Sequence, residues 1–143
     1  MNDRISDDIR RSREFRIHGQ YADAICELEK LIEEFGPQIQ LVVELGDILF
    51  AQGLFSRSIE VLEKHLAQYD PRKDVTAAAG EIILSFARFF ATSQFKEHLS
   101  HAESIYGCFA TSPDWETLDD AIVRPTLSIK CSVRIDWLSE GSD

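Results

Sequence analysis

GQYADAICELEKLIEEFGP, residues 19–37, and GLFSRSIEVLEKHLAQYDP, residues 53–71, carry one pattern at an offset of 34 residues, as from Gly19 to Gly53. Both stretches open with a glycine and an aromatic residue, continue through a small residue and a Leu-Glu-Lys triplet, and close with a proline. Their large apolar residues recur at helical spacing, which is typical of a helix with one buried face. A pattern that repeats at a fixed offset indicates stacked structural units, so we expect the two stretches to fold alike.

Each stretch is expected to be the second helix of a helical hairpin. Gly19 and Gly53 suit the tight turn that leads into it, since glycine adopts backbone conformations that other residues avoid. Pro37 and Pro71 are expected to end it, because proline has no N–H with which to continue the helical hydrogen bonds. Close approach of the two helices within a hairpin is expected at small residues: Ala24, Gly46, Ser58 and Gly80.

Counted from this offset, the chain divides into units at residues 5–38 and 39–72 and a third, longer unit at about 73–113. The recurring residues resemble the tetratricopeptide repeat: Leu45-Gly46, Gly53-x-Phe55, Ser58, Leu62 and Pro71, preceded by Gly19-x-Tyr21, Ala24, Leu28 and Pro37. The resemblance implies an all-α fold, a right-handed helical-hairpin solenoid. It further implies a single domain over residues 1–143, with a C-terminal capping helix within residues 114–140, because the last unit of a solenoid needs a cover.

The third unit departs from the pattern. Its first helix is expected to run from about Asp74 to Ala91, which makes it longer than its counterparts. Phe86, Phe89 and Phe90 would lie on more than one face of that helix, so we expect it to be central or covered. The second helix of the unit fits best with four apolar residues closed by a proline: Leu99, Ala102, Tyr106, Phe109 and Pro113.

The C-terminal part of the chain allows a further helix and an ambiguous segment. Ser112-Pro113-Asp114 is typical of a helix start and predicts a fourth helix to about residue 123. In residues 126–138 apolar and polar residues alternate as in a half-buried strand, yet Ile129, Val133 and Trp137 also fit a helix. We favour the helix and keep the strand as the alternative; in either form this segment offers a contact for a homodimer.

Composition restricts the partners and the compartment. The 143 residues are 44% apolar, enough for one buried core, and their net charge of −10 opposes nucleic acid or an anionic membrane as a partner. A charged start and the lack of a long apolar stretch predict a cytoplasmic protein. Cys26, Cys108 and Cys131 lack the spacing of a metal site and are expected to be semi-buried apolar residues.

Few residues have the spacing of a catalytic or metal site. His98-x-x-His101 places two imidazoles on one helix face, but no third ligand is indicated, and a solvated face is the simpler interpretation. Asp119 and Asp120 would point about 100° apart on a helix, too far for a catalytic carboxylate pair. Neither a nucleophile elbow nor a phosphate-binding glycine loop occurs. We therefore expect no catalytic residue, no metal and no cofactor.

The tetratricopeptide resemblance also implies a concave groove, lined by the first helices of successive units, that holds a peptide or helix of a partner. Nine residues stand at the corresponding positions as candidate partner-binding residues: Ile9, Arg13, Arg16, Val43, Glu44, Asp47, Phe50, Glu81 and Leu84. The basic run from Arg10 to Arg16 is expected to be mainly a solvated face. Asn2 is the only asparagine, so the groove lacks the amides with which family members grip extended peptides. An apolar or amphipathic segment is therefore the expected ligand.

The sequence thus predicts a protein–protein interaction module or adaptor that is not an enzyme. The region from Trp115 to Trp137 is a second expected contact surface, since aromatic residues are favoured anchors. Two alternatives remain open. A small acidic chaperone for a secreted or aggregation-prone client would have this size and charge, and resembles those that shield translocator proteins in bacterial secretion systems. An accessory subunit or an enzyme with a site not visible in the sequence is the other.

Overall fold

The computed structural model describes residues 3–91 and 100–105, and within them all regular structure is α-helical, without a strand. The helices are α1 Asp3–Ile17, α2 Tyr21–Phe35, α3 Ile39–Ala51, α4 Phe55–Leu66 and α5 Val75–Ala91, and residues 100–105 are also helical. None of the helices in this part of the chain combines the length and apolar character that crossing a membrane requires. The expected all-α fold is confirmed.

The 34-residue pattern of the sequence is also a pattern of the backbone. Gly19 and Gly53 both adopt left-handed conformations, with φ of 75° and 85°. Their N–H groups donate to the carbonyls of Arg16 and Phe50, at 3.0 and 2.9 Å. The hydrogen bonds of the next residues recur at the same offset: Gln20 to Phe15, Leu54 to Leu49, Ala24 to Gln20 and Ser58 to Leu54. Both second helices then begin at the aromatic residue. The hairpins α1–α2 and α3–α4 are therefore antiparallel and have the same turn.

The third unit begins with a longer connection. The Asp74 carboxylate accepts hydrogen bonds from the N–H groups of Thr76 and Ala77 at 2.9 and 3.0 Å, which satisfies two donors at the start of α5. This cap confirms the expected helix from about Asp74 to Ala91. Since α3 begins at Ile39 and α5 at Val75, the third unit starts two residues later than the 34-residue pattern requires.

Helix α3 lies in the centre of the described structure. Every residue from Leu41 to Ala51 is buried, which requires contacts on all sides of the helix. Leu41, Leu45, Ile48 and Leu49 pack in one apolar cluster with α1 and α2. Val42, Val43 and Phe50 pack in a second cluster with α4, α5 and the helical residues 100–105, in which Ala102 and Ile105 are buried. The two hairpins and α5 are therefore joined through α3.

Small residues allow two close helix contacts, of which only one is the contact expected. A Cβ atom on Gly46 would lie 2.6 Å from Cγ of Leu62, so α3 and α4 approach closely there, and Ser58 Oγ donates to the Gly46 carbonyl at 2.8 Å. A Cβ atom on Gly80 would instead lie 2.9 Å from Val43 and 3.1 Å from Leu66, both on the preceding hairpin. The expectation that Gly80 serves its own hairpin is wrong.

Two smaller expectations are also corrected. Helix α4 ends at Leu66, and Pro71 lies five residues further on, within the longer connection to α5. Pro71 therefore does not end the helix. Cys26 is exposed rather than semi-buried, since it lies on the face of α2 opposite Ala24 and Leu28. Several expectations concern residues outside the described ranges: the third unit beyond residue 105, the helix at 113–123, the segment 126–138, the cap, Cys108 and Cys131.

Gly46→Ala is expected to lower the free energy of unfolding by about 1–3 kcal/mol, because the added methyl overlaps Leu62. Helix propensity alone would give the opposite sign, a gain of about 1 kcal/mol. Leu62→Ala should cost less in the Gly46→Ala background than in the wild type, since it makes room for the methyl. Urea unfolding of the four proteins measures both effects, and a more stable Gly46→Ala variant would contradict the close approach.

His65 gives the fold a pH dependence of known sign. Burial lowers the pKa of His65 below its ordinary value of 6.5, and the charge of Lys64 lowers it further. The unfolded chain therefore takes up this proton at a higher pH than the folded chain, and stability falls as the pH drops through about 6.5. Between about pH 8 and pH 5, the free energy of unfolding should fall less in His65→Gln than in the wild type. Parallel losses in urea unfolding at the two pH values would contradict this assignment.

Candidate binding cleft

A cleft of about 480 Å³ opens where the end of α4, the connection that follows it, α5 and the helical residues 100–105 meet. Its volume lies within the range of about 300–1,000 Å³ that is usual for ligand sites. The described residues that line it are Glu63, Leu66, Ala67, Tyr69, Pro71, Glu81, Leu84, Arg88 and His101. Two of the nine candidate residues from the sequence, Glu81 and Leu84, are among them.

Helical spacing explains how the lining residues come together. Glu81, Leu84 and Arg88 are three and four residues apart, which places them along one face of α5. At the end of α4, Leu66 and Ala67 follow Glu63 at the same spacing. The chain then turns, with the N–H of Tyr69 donating to the Leu66 carbonyl at 3.0 Å, and Tyr69 and Pro71 also line the cleft.

The floor of the cleft is apolar and the rim is charged. Leu66 and Leu84 are 5% and 3% exposed and form the floor, while Ala67 is exposed at the mouth. On the rim, Arg88 donates to Glu63 Oε1 from Nη2 at 2.8 Å and from Nε at 3.3 Å. Such a combination of a buried apolar centre and a polar edge is the composition of protein-binding sites.

A second rim pair joins α5 to the helical residues 100–105. His101 Nε2 lies 3.0 Å from Glu81 Oε1, with side chains 43% and 17% exposed. Arg72 in the α4–α5 connection donates to Ser104 Oγ at 3.1 Å, which fixes the connection against the same helical segment. Exposed pairs of this kind contribute little stability, about 0–1 kcal/mol each. Their effect is to hold the rim side chains in position.

The predicted groove residues on α1 and α3 form ion pairs with one another. Arg13 Nε donates to Glu44 Oε1 at 2.9 Å, and Arg16 Nη1 donates to Asp47 Oδ2. The carboxylate side chains of Glu44 and Asp47 are 4% and 1% exposed. The expectation that the basic run is mainly a solvated face is therefore wrong for Arg13 and Arg16. Their guanidinium groups balance two carboxylates that α3 carries into the interior.

The remaining groove candidates do not line an open surface. Val43 and Phe50 are 1% and 0% exposed, and the Phe50 ring packs edge-on against Phe55 and Phe90 at centroid distances of 5.3 and 5.8 Å. Phe90 lies near the end of α5, so the length of α5 is what covers this part of α3. Ile9 is partly buried against the first apolar cluster. The expectation of an open groove at Val43 and Phe50 is therefore wrong, because both side chains are buried in the core.

Several lining residues were not candidates from the sequence: Glu63, Leu66, Ala67, Tyr69, Pro71, Arg88 and His101. Glu63, Tyr69 and Pro71 are part of the 34-residue pattern, and nothing in their types indicates a common cavity. The sequence carries no signal for the cleft, because the cleft depends on how α4, the connection, α5 and residues 100–105 pack together. In residues 3–91 and 100–105, no group of three His, Cys, Asp or Glu side chains is arranged to hold a metal ion, and His98 lies outside them.

Comparisons of this chain with protein-family models, with curated proteins and with solved structures found no match.

Arg16→Met is expected to lower the free energy of unfolding by about 3–5 kcal/mol, because Asp47 stays buried while it loses its guanidinium partner. The matched control is Arg57→Met, since Arg57 faces Glu29 at 3.5 Å with both side chains more than half exposed. That change should cost less than about 1 kcal/mol. Adding Asp47→Leu to Arg16→Met should restore part of the loss. Equal costs for the two arginine changes in urea unfolding would show that burial of the α1–α3 pairs has no energetic effect.

Proposed function

We propose that this chain is a protein–protein interaction module of the tetratricopeptide type, a right-handed solenoid of helical hairpins that holds an apolar or amphipathic segment of a partner protein. The observation that carries the proposal is the exact offset of 34 residues between the hydrogen bonds of two hairpin turns, around Gly19 and Gly53. Repeated hairpins expose a continuous surface on which segments of other proteins bind. Neither a catalytic step nor a cofactor is part of the proposal.

The contact surface in this proposal is the cleft beside α4 and α5. Its floor of Leu66 and Leu84 suits apolar side chains, and the ion pairs on its rim suit the polar flank of the same segment. An amphipathic helix that lays its apolar face into a groove combines these two features. The cleft can hold only a short part of such a helix, which favours one or two anchoring side chains over a long interface.

The first two hairpins have a structural part in this function. Their ion pairs and apolar clusters hold α3 in place, and α3 packs against α5 in the second cluster. A rigid support keeps the lining side chains in their positions before a partner arrives, which lowers the ordering cost of binding. The module is therefore proposed to bind at one end of a stable scaffold.

Ala67→Trp is the most direct test, because Ala67 is exposed and lines the mouth of the cleft. The indole should fill the cleft without disturbing the core. Gln68→Trp is the matched control, since Gln68 is the exposed neighbour and is not among the lining residues. Helical peptides selected on the full chain from a displayed library should bind Ala67→Trp at least about tenfold more weakly, a loss of about 1.4 kcal/mol.

Fluorescence anisotropy with labelled peptides measures the dissociation constants, and thermal unfolding confirms that both variants fold. Gln68→Trp should bind like the wild type. If no helical peptide is selected, or if Ala67→Trp and Gln68→Trp bind the selected peptides equally well, the cleft is not the binding surface and the proposal fails.

A further inference from the structure

The polar atoms of the cleft differ in their remaining capacity to form hydrogen bonds with a ligand. Both hydrogen bonds that Arg88 makes to Glu63 end on Oε1, and the His101 contact to Glu81 also ends on Oε1. Within residues 3–91 and 100–105, neither Glu63 Oε2 nor Glu81 Oε2 has a partner. An ionised carboxylate offers about four acceptor sites, so each of these groups keeps acceptor capacity.

The donors of the rim are already directed at those carboxylates. Arg88 uses Nε and Nη2 on Glu63, and the His101 Nε2 contact uses the proton-bearing nitrogen when the imidazole is neutral. The Glu63 side chain is 50% exposed, whereas the Arg88 side chain beside it is 31% exposed. A ligand that enters the cleft therefore meets open acceptors more readily than open donors.

We propose that the occupant of the cleft is a basic amphipathic helix, with apolar side chains on the Leu66–Leu84 floor and a lysine or arginine bound to Glu63 and Glu81. The inference rests on the proposed function and specifies the partner of the same site. An arginine or lysine side chain supplies only donors, which complements the open carboxylate oxygens. It also brings positive charge to a cleft whose lining residues include two carboxylates and one guanidinium.

The charge of the whole chain acts in the same direction. A net charge of −10 attracts a cationic segment over a distance of about one Debye length, about 10 Å at 0.1 M salt. Long-range attraction of this kind raises the association rate, and the carboxylates at the cleft then fix where the segment binds. An acidic helix with the same apolar face would meet repulsion at both stages.

The experiment uses a displayed library of helical peptides of roughly 14 residues, about four turns, with leucines fixed along one face. The flanking positions are randomised among Lys, Arg, Glu, Gln and Ala, and selection is carried out on the full chain. Lys and Arg should be enriched over Glu at positions next to the leucines. Enrichment of Glu, or no charge preference, would overturn the inference while leaving the proposed function standing.

Variants then locate the charge effect. Glu63→Gln should weaken the selected basic peptides by about twofold to fivefold at low salt, the upper part of the range for exposed charge pairs. Glu60→Gln is the matched control, because Glu60 is exposed on the same helix, carries the same charge and is not among the lining residues. Equal losses in the two variants would show that only the net charge matters and would overturn the inference.

Two further results keep the inference separate from the proposed function. Basic peptides that bind Ala67→Trp as tightly as the wild type would place the acidic binding surface elsewhere, and would overturn both. Basic peptides that are lost with Ala67→Trp but keep their affinity in Glu63→Gln and Glu81→Gln would confirm the cleft and overturn the charge assignment alone. A free amine such as n-butylamine that competes as well as the peptide would show that the site binds small cations rather than a helix.

Discussion

The burial of α3 on all sides is the constraint on which the rest of the structure depends. Its two apolar faces belong to different clusters, one shared with the first hairpin and one with α4 and α5. A helix in that position has no solvent face for charged residues, yet it carries Glu44 and Asp47. Both carboxylates must be paired with cations inside the protein, since an unpaired buried charge is strongly destabilising. Helix α1 can therefore dock only in the register that brings Arg13 and Arg16 to them.

The helical hairpins could be predicted because the residues that specify them act locally. A glycine in a left-handed turn and an aromatic residue at the helix start each act within a few residues of their own positions. The ion pairs could not be predicted in the same way. Arg13 and Arg16, like Glu44 and Asp47, have the spacing of one helix face, but which faces meet depends on how two helices pack.

The cleft was missed for a related reason. The sequence keeps its period at Gly46 and Gly80, whereas the structure starts α5 two residues late and turns Gly80 toward Val43 and Leu66. The period of the sequence predicts which residues recur, but it does not predict how the next helix packs on the hairpin before it. Glu81 and Leu84 were candidates as members of a regular groove. In the structure they lie on the face of α5 that lines the cleft beside the end of α4.

The two acidic sites, Glu44 with Asp47 on α3 and Glu63 with Glu81 at the cleft, differ in how completely their carboxylates are paired. On α3, Glu44 and Asp47 receive their cations from α1, an amphipathic helix of the same chain that carries arginines at the matching spacing. At the cleft, Glu63 and Glu81 are paired only through Oε1, and both carry greater exposure than the α3 carboxylates. The chain thus contains one complete example of a basic helix docked on paired carboxylates. A partner helix in the cleft would bring cations to Glu63 and Glu81, as α1 brings arginines to Glu44 and Asp47. These ion pairs would be weaker, because the cleft is more exposed to solvent.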